Sequence, residues 1–206
     1  MQFPDARILI FAKAPEPGYV KTRLLPSLGE EGAADLYKHL LKQTVKSVTA
    51  ANLAPIQLWC APHSTHSFFQ QLASQYHLAL YEQSGADLGE RMYSAAGFAL
   101  NESKAVLLIG ADCPLLSSAH LCQSLQWLME GSDAVVGPAE DGGYVLLGLR
   151  QNKTVLFENI PWGGNQVLKL TRERLAGLGW CWQELEPLWD LDRPADFERW
   201  KLLQNQ

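Results

Sequence analysis

Five short apolar runs, at residues 8–11, 56–60, 78–81, 106–109 and 135–136, are β-rich or uninterrupted and end in turn residues. Strands buried on both faces read this way, because neither face calls for polar positions. Between the first two runs, Leu36, Tyr37, Leu40, Leu41, Val45 and Val48 recur at three-to-four spacing, with Lys38, Lys42 and Lys46 on the opposite side. That pattern predicts an amphipathic helix lying on a sheet. Further helices are predicted over 88–101, 117–129 and 167–175. Ser117 is a good N-cap for the second of these, with His120 at the position a capping box reserves for Glu or Gln. The segment 143–149 follows 135–136 with no room for a helix, so an antiparallel portion of the sheet is expected there. The alternation predicts an α/β fold: a three-layer α/β/α sandwich with a mostly parallel, mixed central sheet, in one domain spanning 1–206.

Composition narrows the class of ligand. Hydrophobic residues make up 47% and charged residues 19%, an ordinary globular balance. A net charge of -5 argues against a general nucleic-acid binder, so an anionic ligand must be met by a few local cations. Cys60, Cys113, Cys122 and Cys181 show no zinc-ligand spacing and read as small buried residues of a reducing compartment. The N-terminal apolar run is too short for a signal sequence, and no segment has the length and apolarity to span a membrane. A cytoplasmic protein is expected.

Four segments carry candidate chemistry. The loop after the first strand places Lys13, Lys21 and Arg23 among prolines and Gly18, where they could converge on phosphate oxygens; it reads equally as a solvated basic loop. It is not a Walker A loop, because Lys21 lacks the preceding glycine. Asp112 ends the strand at 106–109 in a turn stiffened by Pro114, a place suited to hold Mg²⁺ or Mn²⁺ or simply to cap the turn. In the segment 137–144, Asp141 is a candidate for orienting sugar hydroxyls or acting as a base, and Gly142 and Gly143 would let a ligand approach the backbone; Asp-Gly is also a hairpin signal. The segment 190–196 reads as the start of a last helix, with Pro194 in its first turn. Trp162, in a Pro/Gly-rich loop, could stack on a base or sugar or pack beneath the loop. His63 and His66 read as solvated surface, and there is no G-x-S-x-G, H-E-x-x-H or G-x-G-x-x-G motif.

Taken together and in order, the motifs Phe11-Ala12-Lys13-Ala14-Pro15, Pro17-Gly18, Val20-Lys21-Thr22-Arg23-Leu24, Asp87-Leu88-Gly89-Glu90-Arg91-Met92, Gly110-Ala111-Asp112-Cys113-Pro114 and Gly137-Pro138-Ala139-Glu140-Asp141-Gly142-Gly143-Tyr144 cover nearly the whole chain. They resemble a bacterial family of glycosyltransferases of the arsenosugar-biosynthesis type, within the GT-A nucleotide-diphospho-sugar transferase superfamily. The layout is also similar to 2-phospholactate guanylyltransferase. The resemblance implies a nucleotide-diphospho-sugar donor, a small-molecule acceptor and a divalent metal. By it Lys13, Lys21 and Arg23, with Gly18 and Thr22, face phosphates; Asp112 and Asp192, with Asp190 less directly, hold the metal; and Asp87, Gly89 and Arg91 open a helix beside the nucleotide. A nucleotidylyltransferase that binds a nucleoside triphosphate and releases pyrophosphate is the alternative. A third reading, a non-catalytic nucleotide-binding protein, is motivated by two departures: Leu115 stands where relatives often carry an acid, and Trp162-Gly163-Gly164-Asn165 replaces Trp-Ser-Thr.

Overall fold

The computed structural model describes residues 1–204. Seven strands among them, β1 Ala6–Lys13, β2 Ile56–Ala61, β3 Ala79–Glu82, β4 Ala105–Ile109, β5 Ala134–Pro138, β6 Tyr144–Leu149 and β7 Trp182–Glu184, form one sheet in the order β3-β2-β1-β4-β6-β5-β7. Every pairing is parallel except those of β6, which runs antiparallel to both β4 and β5. The helices are α1 Leu25–Ala51, α2 Ser67–Tyr76, α3 Leu88–Leu100, α4 Ser118–Glu130, α5 Val167–Gly177 and α6 Pro194–Gln204.

The two-residue period of the strands sorts the core into two layers. Ile8 and Ile10 of β1, Leu107 and Ile109 of β4 and Val135 of β5 face one side, where they join Tyr37, Leu41 and Val45 of α1, Phe69 of α2 and Leu121, Leu125 and Leu128 of α4. Leu9, Val106, Leu108, Ala134 and Val136 face the other, with Met92, Ala95, Ala96 and Ala99 of α3 and Leu168 and Leu175 of α5. The sheet is therefore covered on both faces, as the apolar runs required. A third cluster lies outside the sandwich: Leu24, Ala33, Leu36 and Leu40 pack with Trp189 and Leu191, and Phe197 and Trp200 of α6 close over them.

Several expectations are corrected. The run at 78–81 is an edge strand, exposed or half-buried at every position, because β3 has a neighbouring strand on one side alone. α1 begins well before residue 36; its first turns are broken at Gly29 (φ 68°), and their apolar residues face the outer cluster instead of the sheet, which blurs the period. α2 and β7 went unread: α2 buries only Phe69 and Leu72, and β7 is three residues at the other sheet edge. Cys60 and Cys113 are buried, and burial pushes both thiols up to about 12, but Cys122 is half-buried and Cys181, just ahead of β7, is exposed. No helix of the described residues is long and apolar enough to cross a membrane.

α4 opens with a histidine in a glutamate's role. Ser117 Oγ accepts from the His120 N–H at 3.3 Å, and His120 Nδ1 accepts from the Ser117 N–H at 3.2 Å, so the imidazole closes the capping box. His120→Ala should lower unfolding stability by about 1 kcal/mol, and His120→Gln should recover most of it, as measured by urea denaturation.

Candidate functional site

Strand order reverses between β1 and β4, because the chain leaves β1 toward β2 and β3 and later leaves β4 toward β5 and β6. Open α/β sheets bind ligands in the crevice at such a reversal. Here it holds a cleft of about 490 Å³. One end is charged: Lys13, Lys21 and Arg23 from the loop after β1 meet Asp112 from the end of β4, Asp141 from the β5–β6 turn, and Asp190 and Asp192 from the C-terminal segment. Phe11, Gln83, Leu88, Met92 and Trp162 also line the cleft.

The charged end centres on Lys21. Its side chain is 4% exposed, and its Nζ lies 2.9 Å from Asp112 Oδ2 and 3.7 Å from Asp192 Oδ1. Burial alone would pull the ammonium below its ordinary pKa; the two carboxylates more than offset this and hold it above. Lys21 adopts a left-handed backbone (φ 48°), a conformation that costs a non-glycine residue about 1 kcal/mol. Gly110 leaves room for the Asp112 carboxylate, since a Cβ there would lie 2.9 Å from Asp112 Oδ1.

The C-terminal acids arrive by backbone pairing. Leu188 N–H donates to Pro138, Glu140 N–H to Leu188 and Leu191 N–H to Asp112, so the chain runs alongside the end of β5 and is pinned to the end of β4. Arg23 pairs with Asp192, which holds the guanidinium above its usual pKa. Asp196 reaches back to accept from the N–H groups of Asp192 and Arg193, taking the capping role read for 190–196. Asp190 is the carboxylate left in tension: burial first, then the Asp112 and Asp141 charges, push it up to about 6.

The remaining sequence candidates divide. Thr22 and Gly143 line the cleft, as does exposed Lys13, whose ammonium makes no ion pair among the described residues. Asp141 also lines it, with Oδ1 accepting from the Gly143 N–H at 2.8 Å. Gly18, Asp87, Gly89, Arg91 and Gly142 are not among the lining residues. Asp87 caps α3 through the Glu90 N–H, and Arg91 Nε donates to the Gly85 carbonyl. Gly89 makes room for the Trp162 loop: a Cβ would lie 2.5 Å from the Phe157 carbonyl oxygen and 2.6 Å from Trp162 Nε1. Gly142 (φ 89°) packs against Asn165, and its carbonyl accepts from the Leu168 N–H. Trp162 lines the cleft edge-on to Tyr144, and Leu115 packs into the core. His66 corrects its reading as solvated surface: Nδ1 accepts from the Phe68 N–H to cap α2 while Nε2 meets Glu16 at 2.8 Å, tying the cationic loop to that helix. Gln83, Tyr37 and Phe11 line the cleft without having been singled out; Tyr37 matched the helix period, but its hydroxyl accepts from the Lys13 N–H at 2.9 Å.

Oxygen donors of this kind suit Mg²⁺ or Mn²⁺. Among the described residues no group of three or more His, Cys, Asp or Glu forms a complete protein cage. Asp112 and Asp192, which converge on one ammonium, are two of the four carboxylates lining the cleft, and a hard cation held by one or two carboxylates draws its other oxygens from water and phosphate.

Residues 44–164 match the family model described as "Uncharacterized protein conserved in bacteria (DUF2064)". The chain belongs to this family. Among solved structures, the DUF2064 chain is similar to one from Desulfovibrio desulfuricans G20 described as a "putative nucleotide-diphospho-sugar transferase", at 31% identity and TM-score 0.84, over 92% of this chain and 83% of that one. It shares its fold with a cytidylyltransferase from Leptospira borgpetersenii serovar Hardjo-bovis (strain JB197), at 15% identity and TM-score 0.62, over 96% and 85% of the two chains. The 4-diphosphocytidyl-2C-methyl-D-erythritol synthase of Anaerococcus prevotii DSM 20548 is similar at 10% identity and TM-score 0.65, over 98% and 97%. Comparison with curated proteins gave no match.

The raised Asp190 carboxyl has a stability consequence. Between its ordinary 3.8 and about 6 the native state binds more protons than the unfolded chain, so stability falls as pH rises through that window. In metal-free buffer at pH 8, Asp190→Asn should raise the thermal midpoint by about 2–4 °C, and the gain should vanish as pH approaches 4.

Proposed function

We propose that this DUF2064 protein is a glycosyltransferase that takes a nucleotide-diphospho-sugar donor, with a divalent cation, and passes the sugar to a small-molecule acceptor. The observation that carries the reading is the buried Lys21 ammonium set between Asp112 and Asp192 at the strand-order reversal, with Arg23 bound to the same Asp192. The similarity to the Desulfovibrio protein, described as a nucleotide-diphospho-sugar transferase, supports it. Charge balance supports the diphosphate: the cleft is lined by Lys13, Lys21 and Arg23 against Asp112, Asp141, Asp190 and Asp192. A diphosphate accompanied by one divalent cation adds little net charge there, whereas a triphosphate would add negative charge beside four carboxylates.

Lys21 and Arg23 would donate hydrogen bonds to the diphosphate oxygens, and those bonds strengthen as the sugar–oxygen bond breaks and its electron pair passes to the phosphate. A Mg²⁺ or Mn²⁺ at Asp112 and Asp192 supplies, when bound, further neutralisation of the leaving group. Lys13, exposed and without an ion pair among the described residues, would follow the same phosphates. Asp141, exposed on a turn fixed by the Gly143 N–H, would orient the acceptor hydroxyl and take its proton as oxygen bonds to the sugar carbon. The arsenosugar-type resemblance agrees with an acceptor of this small-molecule class. Nucleotidyl transfer is the second reading, favoured by the three cations that one loop brings to the cleft.

Purified protein incubated with nucleotide-diphospho-sugars, Mn²⁺ and candidate hydroxyl acceptors should release nucleoside diphosphate, followed by chromatography. Release of pyrophosphate from triphosphates instead would establish the second reading. Lys21→Met should lower kcat/KM by about 10²–10³-fold, and an Asp112→Ala protein that transfers at the wild-type rate would refute the assignment.

A further inference from the structure

Two acidic segments from distant parts of the chain border the cleft: the β5–β6 turn with Asp141, and the stretch with Asp190 and Asp192. One side chain joins them. Arg199 of α6 donates from Nη1 to Glu140 Oε2 at 2.9 Å and from Nη2 to Glu140 Oε1 at 3.2 Å, and its guanidinium carbon lies 4.5 Å from the centroid of the Trp189 ring. Glu140 immediately precedes Asp141, and Trp189 immediately precedes Asp190. The backbone adds a second tie, from the Glu140 N–H to the Leu188 carbonyl at 2.9 Å.

Little of the fold's stability rests on this contact. The Arg199 and Glu140 side chains are 49% and 52% exposed, and an ion pair so open to water contributes little. α6 is seated by Phe197 and Trp200, which stack on each other and close the outer cluster, and Trp189 is buried in that cluster. What the contact supplies is direction. Two N–H groups on one carboxylate fix the plane of the pair, and the ring against the guanidinium fixes its place, which a lysine would not do. Glu140 is the acid of the motif 137–144 that the transfer chemistry leaves without a part, and this geometry gives it one.

We propose that Arg199 is a positioning residue: it clamps the Asp141 turn to the segment 189–192 and so fixes the separation between Asp141, which would take the acceptor's proton, and Asp192, which would neutralise the leaving group through its cation. The role rests on the transferase reading of the cleft. Donor and cation would be held by Lys21, Arg23, Asp112 and Asp192, with none of which Arg199 shares a hydrogen bond or ion pair among the described residues. Loss of the clamp therefore acts on the transfer step and spares donor binding. A displacement of about 1 Å between reacting groups costs about 100-fold in rate.

The test compares the wild-type protein with Arg199→Met and, as a control, with Glu198→Gln, which breaks the neighbouring exposed pair to Lys201 on the same helix. Hydrogen exchange reads the clamp directly: in Arg199→Met the Glu140 and Leu191 amides should exchange about tenfold faster, with the amides of β1 and β4 unchanged. In sugar-transfer assays kcat should fall about 10- to 100-fold, with the donor KM within about twofold of wild type and with Mn²⁺ and nucleoside diphosphate affinities unchanged by calorimetry. Glu198→Gln should match the wild type in every measurement. Unchanged exchange at Glu140 and Leu191 would overturn the clamp, and faster exchange with unchanged kcat would overturn its part in transfer. Parallel loss of kcat and of Mn²⁺ and diphosphate affinity would reduce Arg199 to a structural strut. A wild-type protein that transfers no sugar from any donor would overturn the transferase reading and the role with it, while the exchange data would still decide the clamp.

Discussion

A buried ammonium governs the arrangement of this protein. An unpaired lysine taken out of water costs several kcal/mol or gives up its proton, and Lys21 does neither because two carboxylates from distant segments meet it. Each partner is delivered by a separate device. The left-handed turn aims Lys21 inward, Gly110 clears space for Asp112, and backbone pairing of residues 188–191 with the ends of β5 and β4 brings Asp192 alongside. Removing any one of these would leave a charge unmatched in a place water reaches poorly.

The same crowding of acids around one base creates the tension at Asp190, which burial and two neighbouring carboxylates push toward neutrality. Such tension has no structural benefit in the protein alone, and it is relieved by any cation brought into the cleft. Elsewhere the cleft is lined by uncharged groups, among them the Gln83 amide, which is held by two carbonyls, and the rings of Phe11 and Trp162.

Much of the fold was legible because the core is built on two clean periods. The runs that became β1, β2, β4 and β5, and the faces of α1, α3, α4 and α5, each repeat as their geometry demands. β7 and α2 were not, since three edge residues or two buried side chains leave little period to see. At the site, the type and spacing of Lys21, Arg23 and Asp112 marked them as candidates, but their meeting with Asp192 is a long-range pairing that no local pattern encodes; only the order of motifs hinted at it. Gln83 was invisible because a glutamine between Glu82 and Ser84 looks like any polar turn, and what distinguishes it is two carbonyls from other strands. Asp87, Gly89, Arg91 and Gly142 caught attention through their motifs, and the structure uses them to cap, brace and make room around the cleft.

Arg23 and Asp192 lie 169 residues apart in the chain. The charged centre therefore cannot be completed until residue 192 has been made, after all the strands of the sheet. While translation proceeds, the strands through β6 can already pair around Lys21, which then has Asp112 as its one acidic partner. A nascent chain halted short of residue 190 would hold most of its core but only half of its counter-charge, so the arrival of residues 190–192 couples late synthesis to the maturation of the cleft.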